Sequence, residues 1–370
     1  MILQSLEAVN FRNYAHLSLT LSPYITILVG QNAQGKTNIL ESILMLSLAK
    51  SHRAGRDSEM IRWGEEFASV TGQVVRQQRT YELNLKILNR GKKVRVNQIE
   101  KRRISDFIGH LNVVLFAPED LQLVKGAPQT RRKFLDVELG QINPQYLHNL
   151  VQYQRVLQQR NNLLKDAESL DSRLSEMLSV WDDQLVEYGS RIVTKRVEFV
   201  HKLQMHAAEI HRQITSEKES LELSYQCVLL ENGRSLEAVK EYFRQQLVAR
   251  RKEDFRRGIT STGPHRDDIE VQIDSKNVQV YGSQGQQRTA ALSMKLAEIE
   301  LIRQEVGEYP VLLLDDVLSE LDEMRQLHLL ESMGQKVQTL ITTTMTYGLD
   351  EMMREKAVVY RVSQGTIEKM

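Results

Sequence analysis

A chain of 370 residues, 41% hydrophobic and 26% charged, has the composition of an ordinary globular protein and enough length for two or three domains' worth of core. Its formal net charge of +1 gives no global attraction to polyanions, so any contact with nucleic acid must come from local basic clusters. A single cysteine, Cys227, excludes an intramolecular disulfide, and no uncharged apolar run approaches the ~20 residues that span a bilayer. The expectation is a soluble, cytoplasmic protein with no membrane partner.

The first forty residues alternate in the manner of strands: LQSLEAVNF, HLSLTLS and ITILVG. The third runs into GQNAQGKTN, where Gly30, Gly35, Lys36 and Thr37 fit the pattern G-x-x-x-x-G-K-[ST]. Apolar residues at helical spacing follow in TNILESILMLSLA. Strand, glycine loop and helix make a phosphate cradle, because loop N–H groups at a helix N-terminus point at bound anions. The candidate nucleotide-binding residues are Gly30, Gln31, Asn32, Ala33, Gln34, Gly35, Lys36, Thr37 and Asn38. Lys36 would neutralise the β- and γ-phosphates, and the Thr37 hydroxyl would ligate Mg2+.

From Phe67 to Val96 short strands return, with NRGKK at 89 to 93 as a hairpin tip. Basic residues cluster here and beyond: Arg90, Lys92 and Lys93, then Lys101, Arg102 and Arg103, then Arg131 and Arg132. Each is a candidate for sequence-independent contact with DNA phosphates, although any one cluster reads better as a solvated charged face, and Arg131 and Arg132 could equally brace the fold internally. Further basic runs stand at 250 to 252 and 256 to 257.

No proline occurs between Pro144 and Pro264. Leu174, Leu178, Trp181, Leu185, Tyr188 and Ile192 step by four and three residues, and Leu147, Leu150, Leu157 and Leu164 make a shorter seam before them. The pattern predicts two long helices folded against each other and interrupted near DAESLDS; they read as a compact lobe, the alternative being an arm projecting from a globular head. His201, His206 and His211 are spaced by five, so their rings diverge by roughly 140° on a helix, unlike a zinc-binding pair.

After TSTGPHRDD (260 to 268) comes a strand, IEVQI, then YGSQGQQRT leading into a helix at 289. Ser283, Gly285 and Gln286 offer a second anion-suited helix N-terminus. The apolar strand VLLLDD then ends in two acids. Asp315 is placed to hold a magnesium shell, and Asp316 to orient or deprotonate an attacking water. QTLITTT supplies a last apolar strand.

The order of cradle, long insertion, GSQGQQR, LLLDD and SELD resembles the head of the ABC-type ATPases. In that family Ser283, Gly285 and Gln286 would form the signature that closes on the γ-phosphate held by another copy, and Ser319 and Asp322 would belong to the D-loop. Asn38 after Thr37 resembles the SMC-like branch. PEDLQLVKGAPQTRRKFLD (118 to 136) and LLLDDVLSELDEMRQLHLL (312 to 330) resemble the RecF family within it, as do VNFRNY, SHR and TSTGPHRDD. Ser283 stands 247 residues after Lys36, a longer gap than in transporter ATPases and a shorter one than in SMC proteins.

The resemblance implies an α/β ATPase head with an inserted, mainly helical lobe: residues 1–125 and 262–370 as the head, and 126–261 as the lobe. It implies ATP and Mg2+ as cofactors and an ATP-dependent homodimer. It also implies DNA as a partner, with RecR and RecO, in the loading of RecA during repair and SOS induction. Asp316 replaces the glutamate usual in transporter heads, hydroxyls such as Thr343 stand in place of their histidine, and their Q-loop glutamine has no clear counterpart, Glu119 and Asp120 lying in the equivalent segment with Gln122 nearby. These departures suit a weak, DNA-stimulated ATPase acting as a switch. A transporter ATPase subunit and a small-molecule phosphoryl-transfer enzyme are the alternatives.

Overall fold

The computed structural model describes residues 1–233, 235–317, 336–344 and 357–370. In chain order, β1 (Ile2–Phe11), β2 (Tyr14–Thr20) and β3 (Ile25–Val29) precede the helix α1 (Lys36–Leu48). Next come β4 (Phe67–Arg76), β5 (Arg79–Leu88), β6 (Gly91–Val96), β7 (Ile99–Glu100) and β8 (Val113–Phe116). A helical stretch follows: α2 (Gln122–Lys125), α3 (Pro128–Ile142), α4 (Pro144–Asp166) and α5 (Ser172–Ile214). Then β9 (Leu221–Gln226), α6 (Leu236–Ala249), α7 (Arg251–Arg257), β10 (Asp268–Ile273), β11 (Lys276–Asn277) and α8 (Val278–Tyr281) lead to α9 (Gln284–Val306). The chain ends with β12 (Val311–Asp315), β13 (Thr339–Thr343), β14 (Ala357–Ser363) and β15 (Thr366–Lys369).

Two compact units result. The first comprises Met1–Leu121, Gln213–Glu217 and Ala291–Met370, and the second Gln122–Arg212 and Lys218–Ala290. The first boundary lies near the expected one, but the second does not. Residues 262 to 290, expected in the head, belong to the second unit because β10 pairs antiparallel with β9 from Asp268↔Gln226 to Ile273↔Leu221. IEVQI is a strand, but its sheet is β11-β10-β9, so the second unit is not purely helical.

The first unit holds two six-stranded sheets, ordered β2-β1-β4-β5-β6-β7 and β15-β14-β3-β13-β12-β8. In β1, Leu3 is buried, yet so are Leu6 and Ala8, which have the opposite parity. A register shift between Leu3 and Ser5 against β4 resets the pleat, so both sets face the core. The second sheet is parallel except for β15. Its strand VLLLD is buried throughout, as a strand covered on both faces must be. α1 packs on β1, β4 and β5 of one sheet and on β12 and β13 of the other. Sandwiched in this way, it buries ten of its residues, Glu41 and Ser42 among them.

In the second unit the expected break between long helices falls at residues 167 to 171, between α4 and α5. On α5 Leu174, Leu178, Leu185 and Ile192 are buried. The stripe on α4 differs from the leucine seam: Tyr146, Leu150, Tyr153, Val156, Arg160 and Leu164 are buried, and Leu147 and Leu157 only partly. Arg160, fully buried, replaces apolar contact with ion pairs. Its Nε donates to Asp182 at 2.7 Å, and its Nη1 to Asp254 at 2.8 Å and to Thr260 Oγ1 at 2.9 Å.

TSTGPHRDD is the other half of this buried network. Arg196, 2% exposed, donates to the Pro264 carbonyl and to Asp136, and Arg131 holds Asp268 with two bonds of 2.7 and 2.8 Å. Tyr225 donates to Asp267, which the Cys227 thiol also meets. Burial pushes the Asp267 carboxyl up and the Cys227 thiol up as well. His265 lies between the Thr260 carbonyl, 3.0 Å from Nε2, and the Tyr153 hydroxyl, 2.7 Å from Nδ1. A carbonyl only accepts, so Nε2 carries the proton and Nδ1 accepts from Tyr153.

Burial, with Arg266, Arg132 and Arg196 nearby, lowers the His265 pKa to about 4. A histidine depressed from an unfolded value of about 6.5 contributes stability that is fully present above that pH and lost as pH falls towards 4. Urea unfolding should therefore show wild type losing about 3 kcal/mol between pH 7 and pH 4 through this residue. His265→Gln should flatten that limb, and an unchanged acid limb would contradict the assignment.

Candidate functional site

Parallel pairing of β3, β13 and β12 brings their C-terminal ends to one edge of the sheet, with Val29 opposite Thr343 and Asp315 opposite Thr342. Ligand loops gather at that edge in α/β sheets. From it spring the loop of residues 30 to 38 and the acidic pair. The Thr37 hydroxyl donates to Asp315 Oδ1 at 2.9 Å, joining elements 278 residues apart. The Thr342 hydroxyl donates to the same oxygen at 2.9 Å and accepts from the Asp316 N–H.

Lys36 is 6% exposed, and its Nζ donates to the carbonyls of Gly30 and Gln31 at 2.6 and 2.9 Å. Burial lowers its pKa, and Asp316 and Asp315 oppose that shift. An ammonium has three donors, so two loop carbonyls leave one for an anion above the helix N-terminus. Asp316 has φ 56, a left-handed conformation that aspartate tolerates better than most residues. Thr37 Oγ1 and Asp315 supply the hard oxygens that magnesium takes when water and phosphate complete its shell. Among the described residues no group of three or more His, Cys, Asp or Glu forms a metal site of its own.

The loop's shape depends on residues outside the motif. Gly35 caps α1 at φ 112, where any side chain is strained, and a Cβ there would lie 2.8 Å from the Tyr14 hydroxyl. That hydroxyl donates to the Gly35 carbonyl at 3.1 Å. Asn13 Nδ2 donates to the Gln34 carbonyl, and Asn13 Oδ1 accepts from Asn38 at 2.8 Å. On the other side, the turn between β14 and β15 offers the Gln364 N–H to Gln34 Oε1 at 2.7 Å. Gly30 approaches the Val362 carbonyl so closely that no Cβ fits. Gln31, Asn32 and Ala33 are exposed at the loop's tip.

VNFRNY and SHR thus gain physical roles that the motifs alone did not give them. Arg12 grips Glu41 with two bonds of 2.8 and 2.9 Å, and Ser51 donates to the same carboxylate. Burial would raise the Glu41 pKa, yet these partners bring it below the usual value. The exposed Arg53 reaches 3.9 Å from Asp315 Oδ2 and 3.5 Å from Glu119. It is the cation beside the acidic pair that sequence reading missed, and only the SHR resemblance pointed towards it. Asp120 Oδ2 accepts from the Ala117 N–H at 2.8 Å, and burial pushes its carboxyl up to about 6. Gln122 opens α2 in the second unit.

Ser283, Gly285 and Gln286 also lie in the second unit. α9 begins at Gln284 rather than 289, because Ser283 and Gln286 form a capping box. Ser283 Oγ accepts from the Gln286 N–H at 3.2 Å, and Gln286 Oε1 accepts from the Ser283 N–H at 2.9 Å. Ser319 and Asp322 lie outside the described residues.

The basic candidates divide sharply. Arg131, 3% exposed, grips Asp268 and the Leu123 and Gly126 carbonyls, and Arg132 donates to the Asp267 carbonyl. Arg131 is thus taken up by a nearly buried bidentate pair inside the second unit, whereas Arg132 is half-buried and makes one bond to a backbone carbonyl. Lys92 is held by Asp57 at 2.8 Å and the Ala49 carbonyl. Arg90, Lys93, Arg102 and Arg103 are exposed, and Lys101 is half-buried. His211 is buried beside Glu219, while no helix among the described residues is long and apolar enough to cross a membrane.

A family model described as RecF/RecN/SMC N terminal domain matches residues 2–368. The DNA replication and repair protein RecF of Bacillus mycoides (strain KBAB4) is 49% identical over 369 residues, covering 100% of this chain and 98% of that protein. RecF of Bacillus cereus (strain G9842) is 49% identical over the same shares. A solved structure of the recombination mediator protein RecF-ATPrS in the RecFOR pathway matches with TM-score 0.92 and 32% identity, covering 100% of this chain and 98% of that one. The Smc head bound to the C-winged helix domain of ScpA, at 16% identity and TM-score 0.55 over 100% of this chain and 98% of that one, shares the fold alone. Identity over essentially the whole length, carried on an ABC-type ATPase head, places this chain in the RecF family of DNA replication and repair proteins.

Proposed function

We propose that this chain is an ATP-switched DNA clamp of recombinational repair, acting in the cytoplasm. The Thr37–Asp315 hydrogen bond carries the reading, since it joins the cradle to the acidic strand at one point. ATP would lie with its phosphates over the loop of residues 30 to 38, and Lys36 would turn its free donor to them. Thr37 and Asp315 would hold Mg2+, which screens the phosphate charge when bound. Asp316 would orient the attacking water, and its short side chain suits slow turnover. Two relatives of known structure are described as RecF-ATPrS and RecF-ATP, which supports ATP as the ligand.

Ser283, Gly285 and Gln286 of one copy would close on the γ-phosphate held by the cradle of another, making ATP the adhesive of a homodimer. ATP can shift this equilibrium only through contacts that the dimer alone makes, and the signature supplies them. Hydrolysis, stimulated by DNA, would release the copies. Gapped, single- or double-stranded DNA would be held through backbone phosphates by Arg90, Lys93, Lys101, Arg102 and Arg103. Support of RecA loading with RecR and RecO, and so of SOS induction, follows from the family and from the RecFOR pathway named for those relatives.

Mass in solution with and without Mg-ATP tests the switch. Wild type should dimerise with ATP, while Lys36→Met and Ser283→Arg should remain monomeric; a Ser283→Arg protein that dimerises normally removes the composite site. For DNA, Arg102→Ala with Arg103→Ala should weaken binding several-fold and lower the salt slope by about 2, with thermal stability unchanged. Arg131→Ala should instead destabilise the fold by about 1–3 kcal/mol, because it removes the bidentate partner of Asp268. If the Arg102/Arg103 pair leaves affinity and slope untouched, that cluster does not contact DNA.

A further inference from the structure

Glu219 stands outside every motif in the chain, yet its carboxylate joins two elements of the second unit. Oε1 accepts from Gln286 Nε2 at 3.1 Å, and Oε2 lies 3.3 Å from His211 Nε2. His211 belongs to the last turn of the 43-residue α5 and is fully buried. Gln286 is the third residue of α9 and half of its capping box. The turn bearing Glu219 is anchored in its own right: the Ser220 N–H donates to Asp274 Oδ1, and the Asp274 N–H donates to the Ser220 carbonyl, both at 3.0 Å.

A glutamine amide has two nearly isosteric orientations with opposite chemistry. In the one adopted, Oε1 receives the Ser283 N–H and Nε2 donates to the carboxylate. Turned over, the NH2 group would face the Ser283 N–H, two donors with no acceptor, and the amide oxygen would face a carboxylate. Glu219 therefore selects the orientation that closes the capping box. The closed box points the Gln286 N–H at Ser283 Oγ, so the serine oxygen is an acceptor here and its proton is left to donate elsewhere. We infer that Glu219 is a positioning residue for the signature: it fixes the Gln286 amide, which aims the Ser283 hydroxyl at the phosphate of the partner copy. This inference rests on the proposed action of the signature on a second copy.

The test is ATP-dependent dimerisation of the full chain, followed by mass in solution across an ATP titration in Mg2+. Binding of a fluorescent ATP analogue to dilute monomer and the thermal midpoint are read alongside. Glu219→Ala should raise the ATP concentration for half-dimerisation at least tenfold, with analogue binding to the monomer within twofold of wild type. Glu219→Gln keeps an oxygen for Gln286 Nε2 and should stay within about threefold.

Glu219→Gln and the thermal midpoint together guard against simple unfolding. Glu219→Gln removes the charge but keeps the acceptor, so a Glu219→Gln protein that dimerises as poorly as Glu219→Ala, with an unchanged midpoint, overturns the role of the hydrogen bond. If Glu219→Ala dimerises like wild type while Ser283→Arg does not, the positioning role is overturned and the composite site stands. If Ser283→Arg itself dimerises normally, the underlying reading fails, and the role of Glu219 fails with it.

Discussion

The parallel register of β3, β13 and β12 is the constraint on which the candidate site depends. It sets Asp315 opposite Thr342 and Val29 opposite Thr343, so the loop after β3 and the acids after β12 emerge side by side across a single intervening strand. Thr37 closes that gap with a hydrogen bond to Asp315, and Thr342 holds both members of the acidic pair from below. A slip of one residue in β13 would turn Thr342 to the opposite face and separate all four groups. The apolar core around α1 makes such a slip prohibitive, since the same register decides which side chains of β12 and β13 join it, namely Val311, Leu313 and Leu340.

Around this edge the protein arranges polar groups so that buried charge is always met. Lys36 is enclosed by two carbonyls with two carboxylates nearby, and Glu41 by Arg12 and Ser51. Asn13, Tyr14 and Gln364 fix the loop without contributing to its sequence motif. Hydrogen bonds from outside the motif thus brace the cradle, and such bracing lowers the ordering that binding must otherwise supply.

The second unit is organised on different terms. Arg160 and Arg196 are among its largest fully buried side chains. Removing a guanidinium from water is costly, and only near-complete pairing offsets it. Asp182, Asp254, Thr260, Asp136 and the Pro264 carbonyl provide that pairing, and TSTGPHRDD supplies several of the partners. This segment's family resemblance thus reflects a structural knot in the second unit. Its histidine is a neutral hydrogen-bond relay between Tyr153 and Thr260.

Local chemistry in the sequence was enough to place the strand–loop–helix cradle, the buried strand ending in Asp315 and Asp316, and two long helices broken near residue 170. Each rests on short-range signals: glycine where φ is positive, period-two or heptad burial, and acids after an apolar run. What the sequence could not determine was which distant partners each polar residue would meet. Arg131 and Arg102 read alike in a basic cluster, yet one is paired with Asp268 inside the fold and the other is exposed. IEVQI reads as a strand whichever sheet it joins, and β9, more than forty residues upstream, decided the matter. Thr342 and Glu219 carry no local mark of their roles, and Arg53 only the resemblance of SHR. Their roles arise from contacts across the chain, and only the tertiary structure brings those partners within hydrogen-bond or ion-pair reach.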